Sequence, residues 1–217
     1  MAKKFIAELL GTFGLVFAGT GAIIADQVAG GSIGHVGIAL TFGLIVLVMI
    51  YTFGDISGAH LNPAVTIGFW AARRLPAKEV FPYMASQTMG ALLASAVLRV
   101  LFPTNKLLGA TMPGGTELQS FILEFILTFF LMLTILNVST GAKEKGITAG
   151  IAVGSIIGLE AMFAGPICGA SMNPARSLAP ALISGHLEHL WLYLIAAPLG
   201  AITAVFGCRC VRETGCC

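Results

Sequence analysis

The sequence predicts an all-α membrane protein: six transmembrane helices plus two re-entrant half-helices, arranged as an inverted three-plus-three repeat. Three observations carry that prediction. Of the 217 residues, 57% are hydrophobic and only 10% are charged, where a soluble globular domain carries about 25%; the mean hydropathy of +0.92 agrees. Six stretches are long and apolar enough to cross a hydrocarbon core of ~30 Å. The chain also repeats itself, with Phe5-Ile6-Ala7-Glu8-Leu9-Leu10-Gly11-Thr12-Phe13 matching Phe121-Ile122-Leu123-Glu124-Phe125-Ile126-Leu127-Thr128-Phe129. A single integral membrane domain over 1–217 is expected, with repeat halves at about 1–104 and 117–210.

The first predicted span is Phe5–Ile24. Lys3 and Lys4 ahead of it imitate a secretory leader, but Glu8 interrupts the apolar run, which also exceeds a usual leader core, so the span is read as retained. Val36–Phe53 follows, then a first box, Ser57-Gly58-Ala59-His60-Leu61-Asn62-Pro63-Ala64-Val65-Thr66. Asn is a strong helix N-cap, and Pro suits the first helical turn, where its missing N–H costs nothing. The helical pattern after Asn62 ends at Arg73-Arg74, roughly 10 residues or ~15 Å. That is half a bilayer. The spans Phe81–Phe102, Phe121–Val138 and Gly146–Phe163 come next, and then the second box, Gly165-Pro166-Ile167-Cys168-Gly169-Ala170-Ser171-Met172-Asn173-Pro174-Ala175-Arg176-Ser177. Leu190–Cys208 is the last span.

Two half-helices entering from opposite faces complete one crossing between them, and the small Ala64 and Ala175 let their tips touch. A weaker third match pairs Gln87-Thr88-Met89-Gly90-Ala91 with Ala197-Pro198-Leu199-Gly200-Ala201. Each half holds three full spans, an odd number, so the halves are inverted relative to each other. Inverted repeats around broken helices place a site at the bilayer midplane. Orientation follows from the basic residues: nine lie on one side if both termini are cytoplasmic, against Arg99, Lys106 and Arg176 on the other.

Glu8 and Glu124 occupy the same place in each repeat. Either they form a proton relay, or each accepts hydrogen bonds from the N–H groups of a re-entrant loop that has no ladder of its own. The second reading needs no further titratable partner and is adopted here. Arg176 has the same two-sided character: a fixed charge at a constriction, or a buried structural cation. The first box has Val65 in its place, so any charge sits on one side only. His60 is read as loop scaffolding lining a vestibule, and Glu160 has no repeat partner. Zinc spacing, a nucleophile–base pair and a phosphate loop are all absent, so no metal, cofactor or enzyme activity is expected. The net charge of +2 implies no nucleic-acid partner. The five cysteines show no disulfide framework. Cys208, Cys210, Cys216 and Cys217 leave soft-metal binding, lipidation and an incidental tail all open.

Twin Asn-Pro-Ala boxes in an inverted repeat, with Arg176 after the second, resemble the major intrinsic protein family, the aquaporins and aquaglyceroporins. The resemblance runs from Phe5 to about Phe206. It implies an hourglass pore through each subunit of a homotetramer, embedded in lipid of the plasma or inner membrane. Water and small neutral solutes would pass passively, while ions and protons would not. It assigns Asn62, Pro63, Ala64, Asn173, Pro174 and Ala175 to the pore midplane, and Phe42, Ala161, Ala170 and Arg176 to the outer selectivity filter. Ala161, twelve residues before Asn173, falls where water-selective members usually carry His. The second box is most similar to nodulin-26-like channels and their bacterial relatives. Phe42 departs from the Trp usual there, and Ser177 from the Asp that follows the Arg in glycerol facilitators. Glycerol, urea or metalloid acids are the expected solutes. A water-selective channel, a secondary transporter with a coupling site and a closed-pore junction protein are the alternatives.

Overall fold

The computed structural model describes residues 2–139 and 143–212. Eight helices lie among the described residues: α1 (Ala2–Val28), α2 (Gly34–Ser57), α3 (Pro63–Ala71), α4 (Ala77–Leu101), α5 (Glu117–Val138), α6 (Lys143–Cys168), α7 (Pro174–Ser184) and α8 (Leu190–Val211). All but α3 and α7 are long and apolar enough to span a membrane. The spans start where the hydropathy places them or a few residues earlier. α4 begins at Ala77 rather than Phe81, and α1 at Ala2 rather than Phe5. Hydropathy marks only the apolar middle of a helix, whereas hydrogen bonding continues into polar turns at the headgroup level. Lys4 of α1 and Glu79 of α4 pair there at 3.1 Å.

The two halves use the same packing. α1 lies against α4 and α5 lies against α8, while α2 and α6 join the halves. Small residues let these backbones meet where lipid offers no hydrophobic drive between helices. A Cβ at Gly90 would run into the Leu9 carbonyl, and one at Gly200 into the Phe125 carbonyl. Leu9 and Phe125 are matching positions of the repeat. At the α2–α6 seam, Gly43 and Gly154 each face the other's carbonyl oxygen, 2.6 Å from where a Cβ would stand.

The half-helices are exchanged between the halves. α3 packs on α8 as well as α4, and α7 on α4 as well as α8. Their first turns are the most buried part of the molecule, with Ala64 fully covered and Ala175 almost so. Cys168 and Cys210 are free thiols. Cys208 is disulfide-bonded, which the uneven spacing of the cysteines did not suggest; Cys216 and Cys217 lie outside the described residues.

Candidate functional site

The site is built from two loops and two helix starts. In the first loop Gly58, Ala59 and Leu61 have φ of 85°, 46° and 52°; in the second, Gly169, Ala170 and Met172 have 83°, 40° and 54°. Left-handed backbone at a bulky residue costs of order 1–3 kcal/mol and persists only where neighbours hold it. Here the holders are carboxylates. Glu8 accepts from His60 N at 2.9 Å and Leu61 N at 2.7 Å. Glu124 accepts from Ser171 N at 2.7 Å and Met172 N at 2.8 Å. Both glutamates are fully buried, and the four bonded N–H groups are those a re-entrant loop would otherwise leave unpaired.

A second tie is also duplicated. The Tyr83 hydroxyl donates to Ser57 O and the Tyr193 hydroxyl to Cys168 O, both at 2.8 Å. These carbonyls end α2 and α6, so each tyrosine fixes the point where chain leaves a span and enters a loop. The halves then diverge. Ser57 Oγ and Gln87 Nε2 also donate to Glu8, each at 2.7 Å, and Gln87 reaches Thr66 Oγ1 at 2.9 Å. The equivalent of Gln87 in the second half is Ala197, which has nothing to donate. His60 bonds Thr66 Oγ1 through Nδ1 at 3.1 Å and stacks on Phe69, with ring centroids 4.5 Å apart.

The two Asn-Pro-Ala boxes meet at their asparagines. Asn62 Oδ1 accepts from Ala64 N at 2.8 Å, and Asn173 Oδ1 from Ala175 N at 3.0 Å and Arg176 N at 3.3 Å. With oxygen capping its own helix, each amide turns its NH2 toward the opposite loop. Asn62 Nδ2 donates to Met172 O at 2.7 Å and Asn173 Nδ2 to Leu61 O at 2.9 Å. This reciprocal strap joins the two helix tips directly, a tighter junction than small side chains alone would make. It uses one hydrogen of each amide, and among the described residues the other has no partner.

Both asparagines line a central cavity of about 100 Å³. Leu15, Val46, Leu131, Val153 and Ile157 form its apolar side, while the two loops supply the polar side. A larger space of about 440 Å³ opens beyond it on the Arg176 side, and another of about 410 Å³ on the Lys4 and Arg74 side. Phe42, Ala161, Ala170 and Arg176 line both the central and the Arg176-side spaces, so they ring the neck between them. His60, Phe69, Gly58 and Ser139 do the same at the other neck.

Arg176 is buried. Its Nη1 donates to Gly109 O at 2.8 Å, and its guanidinium lies over the Phe42 ring with Cζ 5.0 Å from the centroid. Its Nε is buried and has no partner among the described residues. A guanidinium has five N–H donors, so the bond to Gly109 O uses only part of its donor capacity.

Of the residues that sequence reasoning singled out, Asn62, Asn173, His60, Phe42, Ala161, Ala170 and Arg176 line the central cavity, while Glu8 and Glu124 lie behind it, bonded to the loops. That reasoning overlooked Tyr83, Tyr193, the Gly109 carbonyl and the bonds of Gln87, which it met only as part of the third repeat match. The tyrosines lie seven residues before Gly90 and Gly200, so extending the third repeat match upstream would have found them. Glu160 is buried, its Oε2 has no partner among the described residues, and it lines none of these spaces.

The chain matches the family model "Major intrinsic protein" over residues 1–207. It is 46% identical over 213 residues to nodulin-26 of Glycine max, covering 98% of this chain and 79% of that protein. Identity to aquaporin NIP1-1 of Oryza sativa subsp. japonica is also 46% over 213 residues, covering 98% and 75%. Among solved structures, the aquaglyceroporin from Plasmodium falciparum is similar with a TM-score of 0.83 and 27% identity, over 94% of both chains.

Proposed function

Because the chain belongs to the major intrinsic protein family and forms a membrane channel for water and small neutral solutes, we propose that its passage admits glycerol, urea or neutral metalloid acids alongside water while rejecting ions and protons. One observation carries the solute range: two of the four residues around the Arg176-side neck are Ala161 and Ala170. Their methyl groups leave room that an imidazole at position 161 would fill, and they make the wall opposite Arg176 apolar. A small polyol fits such a neck. Its carbons lie against Phe42 and the alanines while its hydroxyls bond to the guanidinium. Each hydroxyl stripped of water without such a bond would cost roughly 2–7 kcal/mol.

In this reading Asn62 and Asn173 act at the midplane. The N-termini of α3 and α7 meet there, each bringing roughly half a positive charge. Both amides donate to a passing oxygen, so a water at that point cannot relay a proton to the next. An ion would face uncompensated desolvation in the narrow central cavity. Glu8, Glu124 and His60 serve as loop support with no transport role. The working unit is a single domain over 1–217, assembled as a homotetramer, in the plasma or inner membrane with both termini cytoplasmic. The bias of basic residues and the family resemblance support that placement.

The test is light scattering from proteoliposomes challenged in turn with sucrose, glycerol, urea and boric acid. Re-swelling with the last three, at rates well above empty vesicles, is the expected result. Water flux without re-swelling by any of them would overturn the wide-neck reading.

A further inference from the structure

The outer space holds a histidine that the neck does not use. His35 stands in the first turn of α2, seven residues before Phe42, and lines the 440 Å³ cavity together with Arg176. Positions 35, 39 and 42 share one helix face, so the ring sits on the same wall as Phe42, ~10 Å further out. Its Nε2 lies 2.7 Å from Met162 O. That carbonyl needs a partner because Pro166, four residues on in α6, has no N–H to give it. The site is also shaped for the ring: a Cβ at Gly165 would stand 2.7 Å from His35 Cε1.

A carbonyl only accepts, so Nε2 carries the hydrogen in this bond and Nδ1 of the neutral ring is an acceptor. Among the described residues the ring bonds through Nε2 and not through Nδ1. Two other polar side chains, Arg176 and Thr111, line this mouth. Arg176 has no acceptor, the Gly109 carbonyl already accepts from Arg176, and the Thr111 hydroxyl donates its hydrogen to Ser177 Oγ.

We propose that His35 is a specificity-determining residue of the outer mouth, whose pinned imidazole offers Nδ1 as the acceptor that receives a polyol hydroxyl before the solute reaches the donors of Arg176. The inference rests on the reading of the passage as one that admits polyols. Water gains little from this acceptor, because it crosses a 440 Å³ space with its other waters around it. A polyol gains more, since it must shed water and align its carbon chain before entering the neck. The lost bond is worth about two- to tenfold in rate, the range expected of one net hydrogen bond.

The experiment compares glycerol and water permeability in proteoliposomes of the wild type, His35→Phe and His35→Gln. Phe keeps an aromatic ring against Gly165 but has no acceptor; Gln retains both a donor for Met162 O and an acceptor. Glycerol permeability should fall about two- to tenfold in His35→Phe with water within twofold of wild type, and His35→Gln should recover at least half of the loss. If His35→Phe fails to reconstitute, His35→Leu carries the same expectation. Equal changes in glycerol and water, or no change in either, would overturn the role of His35 alone. A wild type that passes water but no glycerol would overturn the polyol reading beneath it as well.

Discussion

Removing the Glu124 carboxylate should unfasten the second loop, and the size of the effect follows from its bonds. In Glu124→Ala two buried N–H groups, Ser171 and Met172, lose acceptors at 2.7 and 2.8 Å. Leaving a buried donor unsatisfied costs about 1–3 kcal/mol. The expected destabilisation is therefore about 2–6 kcal/mol. The loop also stores strain at Met172, whose φ is 54°, so it relaxes once released. That relaxation moves Met172 O, the acceptor for Asn62 Nδ2, and damage on one loop reaches the tip of the other half-helix. Thermal unfolding in detergent and water flux in proteoliposomes read the two consequences separately. Glu124→Gln is the informative control, because an amide offers one oxygen and turns a donor toward the other N–H. It should fall between wild type and the alanine variant in stability. A Glu124→Ala protein within about 0.5 kcal/mol of wild type, with undiminished flux, would refute the assignment of this carboxylate as the loop's anchor.

Arg176→Val places in the second half the residue that the first half carries at Val65; it should fold, and raise proton or cation conductance at least tenfold over wild type in dye-loaded vesicles. A unit charge at 4 Å contributes about 4 kcal/mol at an effective dielectric constant of 20, so unchanged conductance would mark Arg176 as purely structural. Gly200→Val drives a side chain into the Phe125 carbonyl and the backbone of α5. Overpacking of this kind costs typically 1–3 kcal/mol, visible as a lower unfolding temperature, whereas the same change at Gly185, with open space around it, costs only the strain of its positive φ.

How far the sequence revealed this arrangement varied with the kind of interaction. Helix starts were legible at Asn62 and Asn173, because cap and proline are adjacent and their geometry is local. The glutamates stood out because a carboxylate inside an apolar span demands an explanation. Their partners were harder to read. Gln87 and the two tyrosines act across tens of residues, and nothing near them in the chain signals what they touch. Asn62 was recognisable as a cap, but its bond to Met172 O depends on how two inverted halves dock. His35 was invisible for a similar reason: its bond exists because Pro166 frees a carbonyl 127 residues away in the chain.

The central claim is that the neck formed by Phe42, Ala161, Ala170 and Arg176 sets the width of the passage. It is tested most directly by the ratio of glycerol to water permeability in Ala161→His against wild type, measured in the same vesicles. An imidazole there fills the space beside Ala170 and opposite the guanidinium, so glycerol flux should fall at least tenfold while water flux stays within about threefold. Glycerol and water falling together, or glycerol passing undiminished, would contradict the claim.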